Sequence, residues 1–228
     1  MPMFELQASK IENMYKLQNK LNCDTNGPNW ATDGITKEGR EINWLRCIYM
    51  ETAEAIDSLN WKHWKDIHAE DDIANLKVEL VDIWHFMMSE HIVIYGLDNA
   101  IEKAIDDIAY ISQQADELID GVDKLFFLEE LMKLSVNGEL PFRTFLQAIR
   151  KVDDFSMEDV YQLYIGKNCL NKFRQDHGYK DGTYIKMWYG KEDNVYMQRA
   201  LDENSDLDFD GLYEQLKQLY NNVQYKRK

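Results

Sequence analysis

Apolar residues at Leu6, Ile11, Met14, Leu17 and Leu21 fall at roughly helical spacing and predict a helix over residues 3–22, stopped by the turn-forming run Asn26-Gly27-Pro28. Residues 41–60 and 71–95 predict two long helices joined by the aromatic, basic linker Trp61-Lys62-His63-Trp64-Lys65. The second is unusual. From Leu76 to Met88 it is apolar on nearly every side, a pattern that belongs to a helix buried all round. Between about 98 and 155 the pattern turns to acidic, amphipathic helices, with apolar clusters such as Leu125, Phe126, Leu128, Leu131, Met132 and Leu134 and breaks near Asn137-Gly138 and Pro141. A capping box, Ser156-Met-Glu-Asp159, opens a helix over 156–175. A Gly-, Tyr- and Lys-rich stretch follows through Asn194, and a final acidic helix closes the chain. No repeat or linker divides the sequence, so residues 1–228 are expected to form one domain in which 95–160 carries no motif.

Composition sharpens this picture. With 45% hydrophobic residues in 228, the chain can bury one sizeable core, and only three prolines and eleven glycines leave little material for turns. The expected class is all-α, a helical bundle. Cys23, Cys47 and Cys169 are widely spaced and form no CxxC pair, which speaks against a disulfide framework or a zinc site and for a cytoplasmic protein. The opening MPMFELQASKIENMYKL has no signal-peptide core, and no run of eighteen uncharged apolar residues offers a membrane span. A net charge of −15 disfavours nucleic acid, which is held by basic residues that displace counterions. A phosphate ligand would need cations or a local basic segment.

Both are suggested. Glu51-Thr-Ala-Glu54 on one predicted helix and Glu79-Leu-Val-Asp82 on the next place two acids together on each helix, since residues three apart share a face. Val78, Leu80, Val81, Ile83 and Trp84 flank the second pair, so its acids are expected to point inward. Four carboxylates converging away from water repel one another unless cations neutralise them, and oxygen-only ligands suit Mg²⁺ or Mn²⁺. One such pair alone would read as a solvated face. His85 continues the stripe by a further three residues and reads either as a core histidine or as a hydrogen-bonding partner for a base.

Residues 165–191 hold Lys167, Lys172, Arg174, Lys180, Lys186 and Lys191 against Asp176 and Asp181, a local excess of cations in an acidic chain. Lys167, Asn171 and Arg174 share a helical face and precede the turn-rich run His177 to Tyr184, an arrangement that suits anionic oxygens. A solvated patch balancing an acidic surface is the plainer reading. Gln18 and Asn22, four apart on the first helix, offer amide donors and acceptors to a base edge.

Taken together, Lys16–Asn22 with Thr25-Asn-Gly27, Arg46–Glu54, Trp61–Lys65, Glu79–His85, Gly166–Arg174, Gly178–Gly182 and Gly190–Asn194 resemble the dimeric dUTPases of the all-α, MazG-like NTP pyrophosphohydrolases. The resemblance implies Mg²⁺-dependent hydrolysis of dUTP, and of dUDP, to dUMP by a homodimer, with pyrophosphate released from dUTP and Mn²⁺ as a substitute metal. It implies that Glu51, Glu54, Glu79 and Asp82 bind metal, with Glu51 or Glu54 as the catalytic base and Glu51 favoured. Gln18, Asn22, His85 and Asn171 would surround the uracil and sugar, with Trp61, Trp64 or Trp84 as aromatic walls. Lys167, Arg174, Lys186 and Lys191 would contact the phosphates.

Three other readings compete. A sibling pyrophosphohydrolase would prefer another deoxynucleotide such as dCTP. A di-iron carboxylate protein would need Glu-x-x-His on two helices, and the Glu51 helix has no histidine at that offset. An inert helical interaction module would use its acids only for solubility.

Overall fold

The computed structural model describes residues 6–114, 121–204, 207 and 209–225, so the expected helical start at residues 3–5 lies outside them. Among these residues are ten helices and one two-stranded sheet. The all-α class is as expected. None of the helices is long and apolar enough to cross a membrane. The chain's contacts group into two compact units, Met1–Tyr161 and Gln162–Lys228.

The first unit holds α1 (Ala8–Asn26), α2 (Trp30–Asp33), α3 (Trp44–Asp57), α4 (Ile73–Tyr95), α5 (Leu97–Ser112), α6 (Lys124–Val136) and α7 (Phe142–Arg150). Caps set the ends. The side chain of Asn43 accepts from Arg46 N at 2.8 Å and that of Asp72 from Asn75 N at 3.0 Å, so α3 and α4 begin two or three residues later than periodicity suggests. α1 runs past residue 22 to Asn26, where Gly27 takes a positive φ that ends it.

As its pattern predicts, α4 is enclosed along most of its length. It packs along α3, α5 and α1, and from Leu76 to Ile92 only Lys77, Val78, Asp82, Phe86 and Glu90 escape full burial. Trp84 lies at its centre, stacked on Phe145 at 5.7 Å and edge-on to Tyr15 at 6.2 Å, with its Nε1 donating to Met14 Sδ. Trp84 is therefore a core side chain and no wall for a ligand. Two turns on, buried His91 stacks on Phe142 and hydrogen-bonds the Tyr15 hydroxyl through Nδ1 at 2.7 Å. Burial, helped by the charge of Lys103, pushes the His91 pKa down to about 4.

The helix α8 (Met157–Asp176) opens with the expected capping box. Ser156 N donates to Asp159 Oδ2 at 2.7 Å and Asp159 N to Ser156 Oγ at 3.3 Å. The second unit continues with a hairpin, β1 (Met187–Trp188) and β2 (Lys191–Glu192), then α9 (Asp193–Glu203) and α10 (Phe209–Tyr225). Two helices thus stand where one was expected. Tyr189 and Gly190, both at positive φ, form the two-residue turn between antiparallel β1 and β2. The core is aromatic: Phe173, Trp188 and Tyr220 pack together with Leu212 and Leu216. At Gly166 a side chain would come within 2.6 Å of Met197 Sδ and 2.7 Å of Leu201 Cδ1, so α9 can approach α8 only because glycine stands there.

Arg174 anchors this unit. Its Nε and one terminal nitrogen each reach fully buried Asp193 at 2.8 Å, a two-pronged pair. The other carboxylate contacts come from Tyr184, whose hydroxyl donates at 2.8 Å, and from the backbone N–H of Asn194. Burial alone would lower the Arg174 pKa, and the Asp193 carboxylate overrides it, holding the guanidinium above its ordinary value.

Two outcomes follow from this packing. Because the folded His91 takes up a proton near pH 4 and the unfolded one near 6.5, the unfolded chain binds more protons between those values, and stability falls as pH drops through that window. Between pH 7 and pH 5 the native chain should lose about 2 kcal/mol more than His91→Gln in urea denaturation. Equal pH dependence in both would contradict the buried neutral imidazole. Asp193→Ala, which leaves half-buried Arg174 beside no carboxylate, should cost about 3–5 kcal/mol in the same measurement. A loss below about 1 kcal/mol would mean that the pair contributes nothing net.

Candidate active site

On α3 the buried positions are Ile48, Thr52 and Ala55. Glu51 lies at the edge of that stripe and is half-buried, whereas Glu54, about 60° further round the helix, is exposed. On α4, Glu79 is buried and Asp82 half-buried. Because α3 lies along α4, Glu51, Glu79 and Asp82 come together, with a carboxylate oxygen from each within 4.8 Å of the others. Three of the four acids expected in the site thus meet across two helices. Glu54 stands outside the group. Its neighbour Asp57 is exposed and paired with Lys62, which holds its carboxyl below the ordinary range.

The group makes itself felt on α3. Cys47, one turn before Glu51, has its thiol pKa pushed up by burial and then by the Glu51 carboxylate. Cys23, Cys47 and Cys169 are all free thiols. An all-oxygen donor set from three converging carboxylates fits a hard divalent cation.

Further along the same face of α4 lies a buried polar network. His85 Nδ1 is 2.8 Å from Gln18 Oε1, and Gln18 Nε2 donates to Ser89 Oγ at 3.1 Å. Asn22 Nδ2 donates to the same oxygen at 2.9 Å, and Ser89 Oγ donates to the His85 carbonyl at 2.8 Å. All four side chains are buried. Gln18 and Asn22, singled out in the sequence as a pair, form one assembly here with His85. Ser89 was missed. Its signal was present in the three- and four-residue steps Asp82, His85, Ser89 along α4, but a serine inside an apolar helix reads as a minor packing residue.

The Trp61–Lys65 linker is exposed. Trp61 and Trp64 meet edge-to-face at 5.5 Å, with their loop tied at its base by Asn60 N to Asp71 Oδ1 and Asp72 N to Ser58 O. An ion pair from Lys124 holds Asp71 at 3.0 Å.

The basic residues of the second unit differ in how much they are already engaged. Lys167 is buried at 6% exposure, and Asn171 accepts from Arg174 at 3.3 Å. Lys186 pairs with Glu192 at 3.0 Å, and Lys191 stands exposed at the start of β2. Arg174, expected on the phosphates, has its fork taken by Asp193.

Comparison with known proteins adds one finding. A family model described as dUTPase matches residues 10–179, about three quarters of the chain, from the first turn of α1 through the end of α8. No curated protein matches. The match takes in the three-acid group, the buried amide network and the tryptophan linker. The chain therefore belongs to the all-α dUTPase family, enzymes that hydrolyse dUTP.

Proposed function

We propose that the chain hydrolyses dUTP, and dUDP as a second substrate, in a reaction that depends on Mg²⁺, with Mn²⁺ as a substitute. From dUTP and water the products are dUMP and pyrophosphate, through cleavage of the α–β phosphoanhydride bond. The observation that carries this reading is the meeting of Glu51, Glu79 and Asp82 within 4.8 Å in a half-buried setting beside the amide network. A divalent cation held there would neutralise the polyphosphate and make a coordinated water more acidic. Glu51 and Asp82, half-buried, face both the group and solvent, and Glu51 is positioned to take the proton from the attacking water. Glu54, one turn along and exposed, is free to join the ligand set when the phosphates arrive. Gln18, Asn22 and His85 hold the uracil edge, and exposed Trp61 and Trp64 offer ring faces to the nucleotide.

Lys167, Lys186 and Lys191 keep the role of phosphate contacts on their charge, and Asn171 that of a sugar or base contact on its amide. Arg174 is assigned instead to the support of Asp193. A homodimer belongs to the same reading, supported by the consecutive exposed residues Val93, Ile94 and Tyr95 at the end of α4.

The deciding assay is pyrophosphate release from dUTP, dCTP, dTTP and UTP with Mg²⁺ and with EDTA. Release from dUTP in Mg²⁺ alone is expected, and a preference for dCTP would make the chain a sibling enzyme of other base choice. Glu51→Gln should lower kcat on the order of 10²-fold or more, as loss of a general base does. Unchanged turnover would remove Glu51 from the mechanism. In EDTA, Glu79→Gln should melt about 2–4 °C above the native chain, because a buried like charge is relieved. Adding Mg²⁺ should raise the native melting temperature and leave that of Glu79→Gln nearly unmoved. A variant that melts lower in EDTA would show that the carboxylates do not repel.

A further inference from the structure

Ser89 is fully buried on α4, one turn beyond His85. A hydroxyl has one proton to give and two lone pairs to fill. Here the proton goes to the His85 carbonyl oxygen at 2.8 Å, while the lone pairs take Gln18 Nε2 at 3.1 Å and Asn22 Nδ2 at 2.9 Å. That saturates the oxygen. Turning either amide over would set a carbonyl oxygen against a hydroxyl oxygen whose only proton is committed, among buried side chains. Gln18 is therefore held with Oε1 toward His85 Nδ1, 2.8 Å away. An amide oxygen can only accept, so the proton of the neutral imidazole sits on Nδ1 and the lone pair on Nε2.

We infer that Ser89 is a positioning residue that acts through Gln18 to fix His85 with an acceptor at Nε2, and that this polarity selects pyrimidines bearing a hydrogen on N3 over those with a lone pair there. The inference rests on the proposed role of the network in holding the base. Uracil carries N3–H and can donate to Nε2. Cytosine presents a lone pair at N3, so two acceptors would face each other in a buried site, the kind of mismatch that discriminates strongly. Thymine also carries N3–H, so its rejection falls to the volume of its methyl group and lies outside the reach of Ser89. Two base comparisons thus separate. Loss of Ser89 should blur the choice between dUTP and dCTP and leave that between dUTP and dTTP intact, whereas general damage to the site would move both.

The test has two readouts on the full chain. With ¹⁵N-labelled histidine, and His85 assigned by its loss in His85→Gln, NMR of the native protein should show His85 protonated at Nδ1, and Ser89→Ala should show a mixture of tautomers. In steady-state kinetics with Mg²⁺, Ser89→Ala should lower the kcat/KM ratio of dUTP to dCTP roughly tenfold, with the ratio of dUTP to dTTP unchanged. Native His85 protonated at Nε2 would overturn the inference whether or not any variant folds. An unchanged dUTP to dCTP ratio in Ser89→Ala would overturn the selectivity. A native protein that hydrolyses none of these nucleotides would overturn the functional reading and the selectivity with it, while the NMR result would still decide the tautomer.

Discussion

Much of the first unit depends on a conflict built into one helix. α4 is so apolar that it must be enclosed, yet it carries Glu79, Asp82 and His85 on one face. Enclosing a carboxylate costs several kcal/mol unless charge of opposite sign or hydrogen bonds compensate. The conflict is reduced by geometry. Asp82 falls on the half-buried row with Val78, Phe86 and Glu90, and Glu51 reaches the same place from the edge of the buried stripe of α3. The acids therefore sit where the core ends. A position further in would leave them without access to a cation from solvent, and one further out would screen them with water and make them ordinary surface charges.

Next to the acids, polarity is handled differently. Gln18, Asn22, His85 and Ser89 are buried, but their donors and acceptors are matched to one another across α1 and α4. A matched network of this kind loses little on burial and gains direction, because each group is told by its neighbour which way to point. The acids and the amides are thus two answers to the same low-dielectric setting. One leaves charge waiting for a metal; the other leaves a fixed pattern of donors and acceptors.

Periodicity made the helices and the enclosure of α4 legible, and the Glu51–Glu54 and Glu79–Asp82 spacings made three members of the acidic group legible. Other features were beyond its reach. Glu51 and Glu54 look equivalent in sequence, since both lie on the outer edge of an amphipathic helix; their separation depends on the exact rotation of α3 against α4 and α6, a property of packing. Ser89 was hidden because its role is relational. A serine has meaning there only once Gln18 and Asn22, some seventy residues earlier, are brought against it. The division of the final helix into α9 and α10 was hidden because an acidic, amphipathic stretch holds its period across a short break.

Arg174 carries the lesson furthest. In sequence it is one cation in a basic run and invites assignment to phosphate, as its neighbours do. The buried carboxylate of Asp193, nineteen residues later, claims its fork, and Tyr184 and the start of α9 close around the pair. A guanidinium already bound at two points to a carboxylate without solvent exposure would have to abandon that carboxylate in the interior to reach another anion. Lys186, just before β1, and Lys191, at the start of β2, are exposed and face no such cost, because a surface ion pair can be exchanged for a phosphate at little expense. Whether a basic residue serves a ligand or the fold is thus decided by the burial of its partner, and charge patterning along the chain contains no record of that.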